Sequence, residues 1–274
     1  MLYLVSTPIG NLGDISERAK ETLANVDLIA CEDTRTTASL LNLLGIKHGP
    51  LTAYHEHNAE KAKTILIEKL KKGVNIALVS DAGTPLVSDP GFRLVRACRE
   101  ENLPVTTIPG ANAVLSALQL SALPSDSFYF GGFLPPKSTA RKQTLETVKN
   151  LQATLIFYDT PNRLAETLQD ILTVLGNRQM AVVREITKKF EETRLDTVQN
   201  LIAYYDENGA PKGELVLVID RADKTQNTLT DDQLDEMILK ALKTSSVRDT
   251  AEIVSQTTGL SKKQIYKRAV ELNG

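Results

Sequence analysis

Short apolar runs rich in Val, Ile and Leu recur through the first half of the chain, each followed by a longer stretch whose apolar positions keep helical spacing. That alternation is the pattern of a parallel sheet with crossover helices. It predicts strands over 2–6, 26–31, 51–54, 75–80 and 105–108, with helices filling the gaps. In one of these helices Ile65, Leu66 and Leu70 form an apolar stripe beside Lys61, Lys63, Glu68, Lys69, Lys71 and Lys72, and Gly73 follows as a helix-stopping residue.

Between Ser121 and Asp126 the segment SALPSD interrupts the periodicity, and a new series of strands is expected over 128–133, 154–158, 180–184 and 214–219. Helical patterns separate them, so this region also reads as α/β, with a sheet expected to be mixed. After Asp220 the polar stretch RADKTQN reads as a linker. Everything beyond it reads helical. Thr230 with Gln233 resembles a capping box, a second helix covers 249–256, and Gly259-Leu260-Ser261 turns into a helix over 262–272. This is helix-turn-helix spacing, which a small helical bundle packing on its own chain or on a partner subunit would share. The expected organisation is an α/β domain over 1–122, a second α/β domain over 123–222 and a small helical segment over 228–274.

The composition changes this picture little. With 42% apolar and 24% charged residues the chain has ordinary globular usage, far from the signature of disorder. Its 32 basic and 34 acidic side chains nearly cancel, so a polyanionic partner would have to be met by a local patch. Cys31 and Cys98 lack CxxC spacing and read as small buried residues in a reducing compartment. The first residues, MLYLVSTPIG, lack the basic leader of a signal peptide, and no run reaches the roughly 18 apolar residues of a spanning helix, so a cytoplasmic location and no membrane are expected.

Candidate chemistry gathers where strands end. The first strand runs into Ser6-Thr7-Pro8-Ile9-Gly10-Asn11-Leu12-Gly13-Asp14, although Asp14 and Glu17 also read as a plain capping box. The fourth runs into residues 80–91, where two glycines and two prolines share one connection. Asp89 as N-cap and Pro90 at the first helical position explain the end of that loop and leave 80–87 open. There is no GK[ST], so no triphosphate is implied, and a nucleoside held by backbone groups fits better. The fifth strand runs into Pro109-Gly110-Ala111-Asn112-Ala113, in which Asn112 is a helix-start residue or a polar contact. Three such loops converging on one crevice mean more than any one of them.

Other residues carry less. In CEDTR, Asp33 reads equally as a helix cap and Arg35 as a partner of Glu32. His55-Glu56-His57 has no third ligand nearby in sequence and reads as solvated helix-start residues, so no metal is expected. Two basic segments offer phosphate contacts: Lys137, Arg141 and Lys142 after the Gly/Pro-rich 131–136, and Arg184, Lys188, Lys189 and Arg194 around Glu185. The base-rate reading of both is a solvated helix face. The final helix adds Lys262, Lys263, Lys267 and Arg268 with Tyr266, balanced by nearby acidic residues, and the C-terminal helices from Thr230 onward are expected to assist substrate docking and to be dispensable for the cofactor site.

TPIGN, CEDTR, SDAGTPLVSDPG, PGANA, GGFLPPK, FYDTPNR and REITK occur in this order. At these spacings the chain resembles the ribosomal RNA small subunit methyltransferase I family, within the tetrapyrrole methylases. The resemblance covers nearly the whole chain. It implies two α/β domains with S-adenosylmethionine (SAM) in the cleft between them, a homodimer, no metal, and methylation of a ribose 2′-hydroxyl of cytidine 1402 in the decoding region of 16S ribosomal RNA or the small ribosomal subunit. The cofactor contacts it implies are Pro8, Asp81, Ala82, Gly83, Thr84, Val87, Asn112, Ala113, Tyr158, Gly213 and Glu214. Porphyrinoid methylases and diphthine synthase tend to carry an aspartate where this chain has Thr84, which implies a different polar contact here.

Methyl transfer to a ribose oxygen needs in-line alignment and a place for the hydroxyl proton. Glu32, Asp33 and Glu185 are the base candidates. Lys188 is an electrostatic candidate beside the reaction, and Arg35, Lys137, Arg141 and Lys142 are candidate RNA contacts. Two other readings compete: methylation of a tetrapyrrole or other small molecule, and a ribosome-binding module that has kept the cleft and lost the chemistry.

Overall fold

The computed structural model describes residues 1–222, 231–258 and 260–273. The linker beyond Ala222, the Thr230 cap and the turn residue Gly259 lie outside them. Met1–Ala222 form one compact unit and Asp223–Gly274 a second.

In the first unit the chain runs β1 (Leu2–Val5), α1 (Glu17–Asn25), β2 (Leu28–Cys31), α2 (Thr34–Leu43), β3 (Leu51–Ala53), α3 (Ala59–Lys71), β4 (Ile76–Val79), α4 (Phe92–Glu100), β5 (Val105–Ile108) and α5 (Ala113–Leu120). The five strands form one sheet in the order β3-β2-β4-β1-β5, all pairs parallel. β2 and β4 are near-continuous apolar runs because both faces are covered. Leu28, Ala30, Ile76 and Leu78 pack against α3 and α4, while Ile29, Cys31, Ala77 and Val79 pack on the side of α1 and α2. Cys31 and Cys98 are free thiols within these two cores.

β6 (Phe128–Phe133), α6 (Ser138–Val148), β7 (Thr154–Asp159), α7 (Leu164–Leu175), β8 (Gln179–Arg184), β9 (Glu192–Thr197), α8 (Val198–Asn208) and β10 (Leu215–Ile219) follow. Their sheet is mixed, in the order β6-β7-β10-β8-β9, with only the β6–β7 pair parallel. One face packs on α6, α7 and α8. The other takes Val114, Ala117 and Leu118 of α5 against Ile156, Ala181, Val183, Val216 and Val218. The helix that precedes the SALPSD break thus packs on the second sheet, which ties the two sheets into one unit.

Four local expectations are corrected. The cap of α1 is Ser16, whose hydroxyl accepts from the Ala19 N–H at 3.2 Å, and not Asp14. The buried face of α3 is Ala59, Leu66, Ile67 and Leu70, while Ile65 is half exposed. α4 starts at Phe92 with Gly91 as its cap, so Asp89 is no N-cap. β9 was not expected at all, because in ETRLDT charged and polar residues dominate a strand whose one neighbour is β8.

Among the described residues the second unit holds three helices, α9 (Asp231–Leu242), α10 (Val247–Thr258) and α11 (Lys262–Asn273). They close over Ile238, Ala251, Val254, Ile265 and Ala269. Of its basic residues, Arg268 pairs with Asp235 at 2.6 Å and Lys262 with Glu252 at 2.7 Å, while Tyr266 is exposed.

Candidate active site

β1 and β4 are neighbours, yet the chain leaves β1 toward β2 and leaves β4 toward β5, on opposite sides. The crevice outside their carboxyl ends is therefore the switch point of the sheet, where open α/β folds bind ligands. Three loops are stitched together there. Thr7 and Gly83 exchange backbone hydrogen bonds of 2.9 and 3.1 Å. The Ser6 hydroxyl donates to Thr84 Oγ1 at 3.3 Å, and Thr84 Oγ1 donates to the Ala111 carbonyl at 3.1 Å. Gly83 stands at φ +78°, in the left-handed region, and a Cβ there would meet Ile9 Cγ2 at 3.2 Å.

A cavity of about 410 Å³ opens on these loops, within the range of small-molecule sites. Asp81, Ala82, Gly83, Thr84, Val87, Asn112, Ala113, Tyr158, Gly213 and Glu214, all expected at a cofactor, line it together. Pro8 does not; it lines an adjoining open groove of about 610 Å³ with Asp33, Arg35, Thr36, Ser39, Leu40, Leu43 and Asp81. Asn112 also caps α5, accepting from the Leu115 N–H at 3.1 Å. The sequence reading missed Ile9, Ser88, Asp89, Phe133, Asp159, Thr160, Pro161 and Val216 as lining residues. Phe133 and the 159–161 segment lie inside GGFLPPK and FYDTPNR, so the motifs were visible although these members were not singled out.

The lining holds four carboxylates (Asp81, Asp89, Asp159 and Glu214) and neither lysine nor arginine. Asp159 is answered by Arg163 and Glu214 by Lys188, both just outside. Burial, with the Glu32 charge next in weight, pushes the Asp89 carboxyl up to about 6. Burial raises the Tyr158 hydroxyl to about 12, with Asp89 and Glu214 adding to it. Such a cavity disfavours phosphate and suits a ligand with fixed positive charge.

None of the four catalytic candidates lines this cavity. Asp33 caps α2 and pairs with Arg35 at 2.8 Å, which lowers its carboxyl to about 2, and it is Asp33 rather than Glu32 that Arg35 meets. Glu32 is raised by burial and then by Asp81. Glu185 accepts from Lys188 Nζ at 2.9 Å and from the Glu214 N–H at 3.1 Å, and the Lys188 bond holds its carboxyl below the usual range. Burial alone would lower Lys188, but its bonds to Glu185 and to Glu214 at 2.9 Å hold the ammonium above its ordinary value. This cluster packs against Gly213, at φ +94°, where a Cβ would fall 2.3 Å from Glu185 Oε1.

Arg141 is a correction. Its side chain is fully buried, pairs with Asp170 at 2.7 Å and donates to the Pro135 and Pro136 carbonyls at 3.4 and 3.2 Å, so it cannot reach an RNA phosphate. Lys142 is partly exposed and shares Asp170 at 3.3 Å, and Lys137 is exposed at the start of α6. In the second basic segment Arg184 and Arg194 both pair with Glu192, and Arg194 lies 3.5 Å over the Tyr204 ring. Among the described residues no group of three or more His, Cys, Asp or Glu could hold a metal ion, and no helix is long and apolar enough to cross a membrane.

Residues 1–202 match the model of the tetrapyrrole (corrin/porphyrin) methylases, which defines the class of this fold and cleft, and residues 228–273 match that of the RsmI C-terminal HTH domain. Solved structures agree on the fold: diphthine synthase has a TM-score of 0.60 at 14% identity, covering 80% of this chain and 89% of that one. The uroporphyrin-III C-methyltransferase of Thermus thermophilus, complexed with S-adenyl homocysteine, has 0.52 at 15%, covering 81% and 97%. Two relatives named ribosomal RNA small subunit methyltransferase I are much nearer. That of Haemophilus influenzae is 46% identical, covering 97% of this chain and 95% of its own, and that of Escherichia coli O157:H7 is 43% identical, covering 100% and 96%. The chain belongs to the ribosomal RNA small subunit methyltransferase I family.

Proposed function

We propose that this chain transfers the methyl group of SAM to the ribose 2′-hydroxyl of the decoding-region cytidine of 16S ribosomal RNA, in the cytoplasm, as a homodimer and without a metal. The observation that carries the donor is the charge of the cavity: no lysine or arginine lines it, and of its four carboxylates Asp159 is paired with Arg163 and Glu214 with Lys188 from outside, which leaves Asp81 and Asp89 without a paired cation among the described residues. SAM brings a sulfonium, an ammonium and one carboxylate, a net positive charge, and no phosphate. The backbone of Ala82, Gly83 and Ala113 would approach the nucleoside closely, the Phe133 and Tyr158 rings would offer apolar contact, and Asp81 would meet positive charge. In the reaction the ribose oxygen attacks the methyl carbon in line with the departing sulfur. Alignment by these walls supplies much of the rate, and a positioned base roughly 10²- to 10⁴-fold more.

Ribosomal RNA as acceptor is supported by the names of relatives 43–46% identical over nearly the whole chain. The groove that shares Asp81 with the cavity supports it too, since Arg35 projects there with its side chain 90% exposed, a side chain suited to phosphate. Cytidine, ribose oxygen and dimer rest on the family resemblance.

The test is to supply labelled SAM with free 16S RNA, assembled small subunits or porphyrinogens and to locate the label. A methylated 2′-oxygen cannot attack the adjacent phosphodiester, so alkaline hydrolysis should leave the label in an uncleaved dinucleotide. Label in a mononucleotide would place it on a base and overturn the ribose reading. Label in the porphyrinogen would transfer the cleft to small-molecule methylation, and SAM binding without any transfer would leave a ribosome-binding module.

A further inference from the structure

We propose that Asp89, on the wall of the cavity, is the general base that takes the 2′-hydroxyl proton; this rests on the ribose-methylation reading above. Three observations carry it. Among the described residues Asp89 is a half-buried carboxylate on the cavity wall with no paired cation, whereas the buried Asp159 is paired with Arg163, Glu214 is paired with Lys188, and Glu32, Asp33 and Glu185 stand outside the lining. The loop that presents it is held in an unusual backbone: Leu86 at φ +74° and Ser88 at φ +66° are non-glycine residues in the left-handed region, a pattern that recurs at Glu185 and Thr187, so that the place on the cavity wall and not the strain separates Asp89 from Glu185. Strain of this kind persists only where surrounding structure enforces it, and it concentrates at functional sites. Here it delivers Asp89 into the cavity rather than to the start of α4, which Gly91 caps instead. Finally, the groups around Asp89 come from three elements and none is a cation. Glu32 follows β2, Asp81 follows β4 and Tyr158 lies on β7, with Ser80 giving a contact that partly offsets them; Asp33 and His55 act at one remove through Glu32.

An ordinary carboxylate is a weak base, and a base works best with its pKa near the operating pH. Burial and the Glu32 charge move Asp89 toward that condition, to about 6, while Asp33 at about 2 is moved away from it. In the step, the oxygen–carbon bond forms as the carbon–sulfur bond breaks. The electron pair of the broken bond stays on sulfur, giving neutral S-adenosylhomocysteine, and the hydroxyl proton passes to an Asp89 carboxylate oxygen and then to solvent. No further reactant is needed.

Single-turnover ribose methylation by the full chain, at saturating SAM and RNA and across pH 5 to 9, tests this. The wild-type rate should fall on the acid side as Asp89 protonates, below the ligand-free value of about 6 because the bound sulfonium favours the charged carboxylate. Asp89→Asn should lose about a hundredfold or more in rate and lose the acid limb with it. Asp89→Glu should regain part of the rate and keep a limb. Glu32→Gln removes one of the charges that raise Asp89, so its limb should move to lower pH, and this arm needs no substitution of Asp89 itself. An Asp89→Asn protein that methylates at the wild-type rate, or a Glu32→Gln limb that stays in place, overturns the assignment. A wild-type chain that labels RNA elsewhere than ribose overturns the ribose reading first and this assignment with it.

Discussion

The cavity has two unlike walls. The one built on the parallel sheet comes from the loops after its strands and is rich in small residues: Ile9, Asp81 to Thr84, Val87 to Asp89, Asn112 and Ala113. The one built on the mixed sheet is made of side chains, with Phe133, Tyr158, Asp159, Pro161 and Glu214. The difference follows from strand direction. In the first sheet every strand points the same way, so the loops after β1, β4 and β5 leave one edge together and are stitched by Thr7, Gly83 and Thr84. In the second, β6 and β7 bring their carboxyl ends, Phe133 and Asp159, while antiparallel β10 brings its amino end, with Leu215 opposite Asp159. A loop wall of small residues tolerates little added volume and a side-chain wall tolerates exchange, and substitutions can set the two against each other.

The largest effect is expected in the loop wall. Thr84 is only partly exposed and its hydroxyl bridges two loops, so Thr84→Arg should fill the cavity and abolish SAM binding while the chain stays folded. Calorimetry on the folded variant checks this; undiminished affinity would mean that the ligand does not use this wall.

Next in size is the brace behind the side-chain wall. Arg141 holds the carbonyls of Pro135 and Pro136, two and three residues beyond Phe133, and neutralises buried Asp170. Arg141→Ala leaves that carboxylate only Ser138 and the partly exposed Lys142 and should cost about 3 kcal/mol in stability, the lower end of the usual penalty for breaking a buried pair from one side. The pH dependence has a defined sign. Burial would raise the Asp170 carboxyl, but bonds from Ser138, Arg141 and Lys142 hold it below the ordinary range. A depressed carboxylate stabilises the fold above its unfolded value, near about 3.9, and that contribution disappears as pH falls through the lower folded value. The stability gap between wild type and Asp170→Asn, measured by urea unfolding, should therefore be full at neutral pH and shrink only below about pH 4. A gap that persists into strong acid would assign the loss to packing instead.

Legibility in the sequence divides along the same line. Loop chemistry after parallel strands can be read from residue types alone, because the topology leaves those loops one place to go, and Asp81 to Thr84, Asn112 and Ala113 do meet. The mixed sheet hides its contribution. β9 carries the charges of an edge strand and lacks apolar alternation, and which end of β10 faces the cavity depends on pairing that no local pattern encodes. Asp89 was obscured by a local rule that was sound in itself: Asp-Pro is a good helix start, but the left-handed turn at Leu86 and Ser88 redirects the chain before the rule can apply. Arg141 was obscured by its neighbours, since a basic residue on a helix reads as solvated until its acidic partner on another helix is known.

A smaller effect is expected from the side-chain wall itself. The Tyr158 hydroxyl, held up near 12, is a neutral donor throughout the working range. Tyr158→Phe keeps the ring and removes one hydrogen-bonding group, so SAM binding should weaken by about 0.5–1.5 kcal/mol with no change in its pH dependence between 6 and 9. A loss as complete as that of Thr84→Arg would show that the two walls do not differ in the way their construction indicates.

The smallest and most selective effect concerns the three basic residues that follow the side-chain wall, which are neighbours in sequence and unlike in structure. Lys137 is exposed at the start of α6, Lys142 is partly exposed and shares Asp170, and Arg141 is fully buried. Each phosphate that a free cation neutralises steepens the fall of log K with log salt by about 0.7 to 0.9. Lys137→Gln should therefore flatten the salt dependence of RNA binding by about that amount. Lys142→Gln should flatten it by less, because its ammonium is partly spent on Asp170 in the free protein. Arg141→Lys, tested at a temperature where the fold survives, should leave the slope unchanged. Filter binding of 16S RNA across a salt series gives all three slopes in one experiment. Equal slopes for the Lys137 and Lys142 variants and the wild type would return this helix start to ordinary solvated surface, and a change with Arg141→Lys would mean that the buried pair opens when RNA binds.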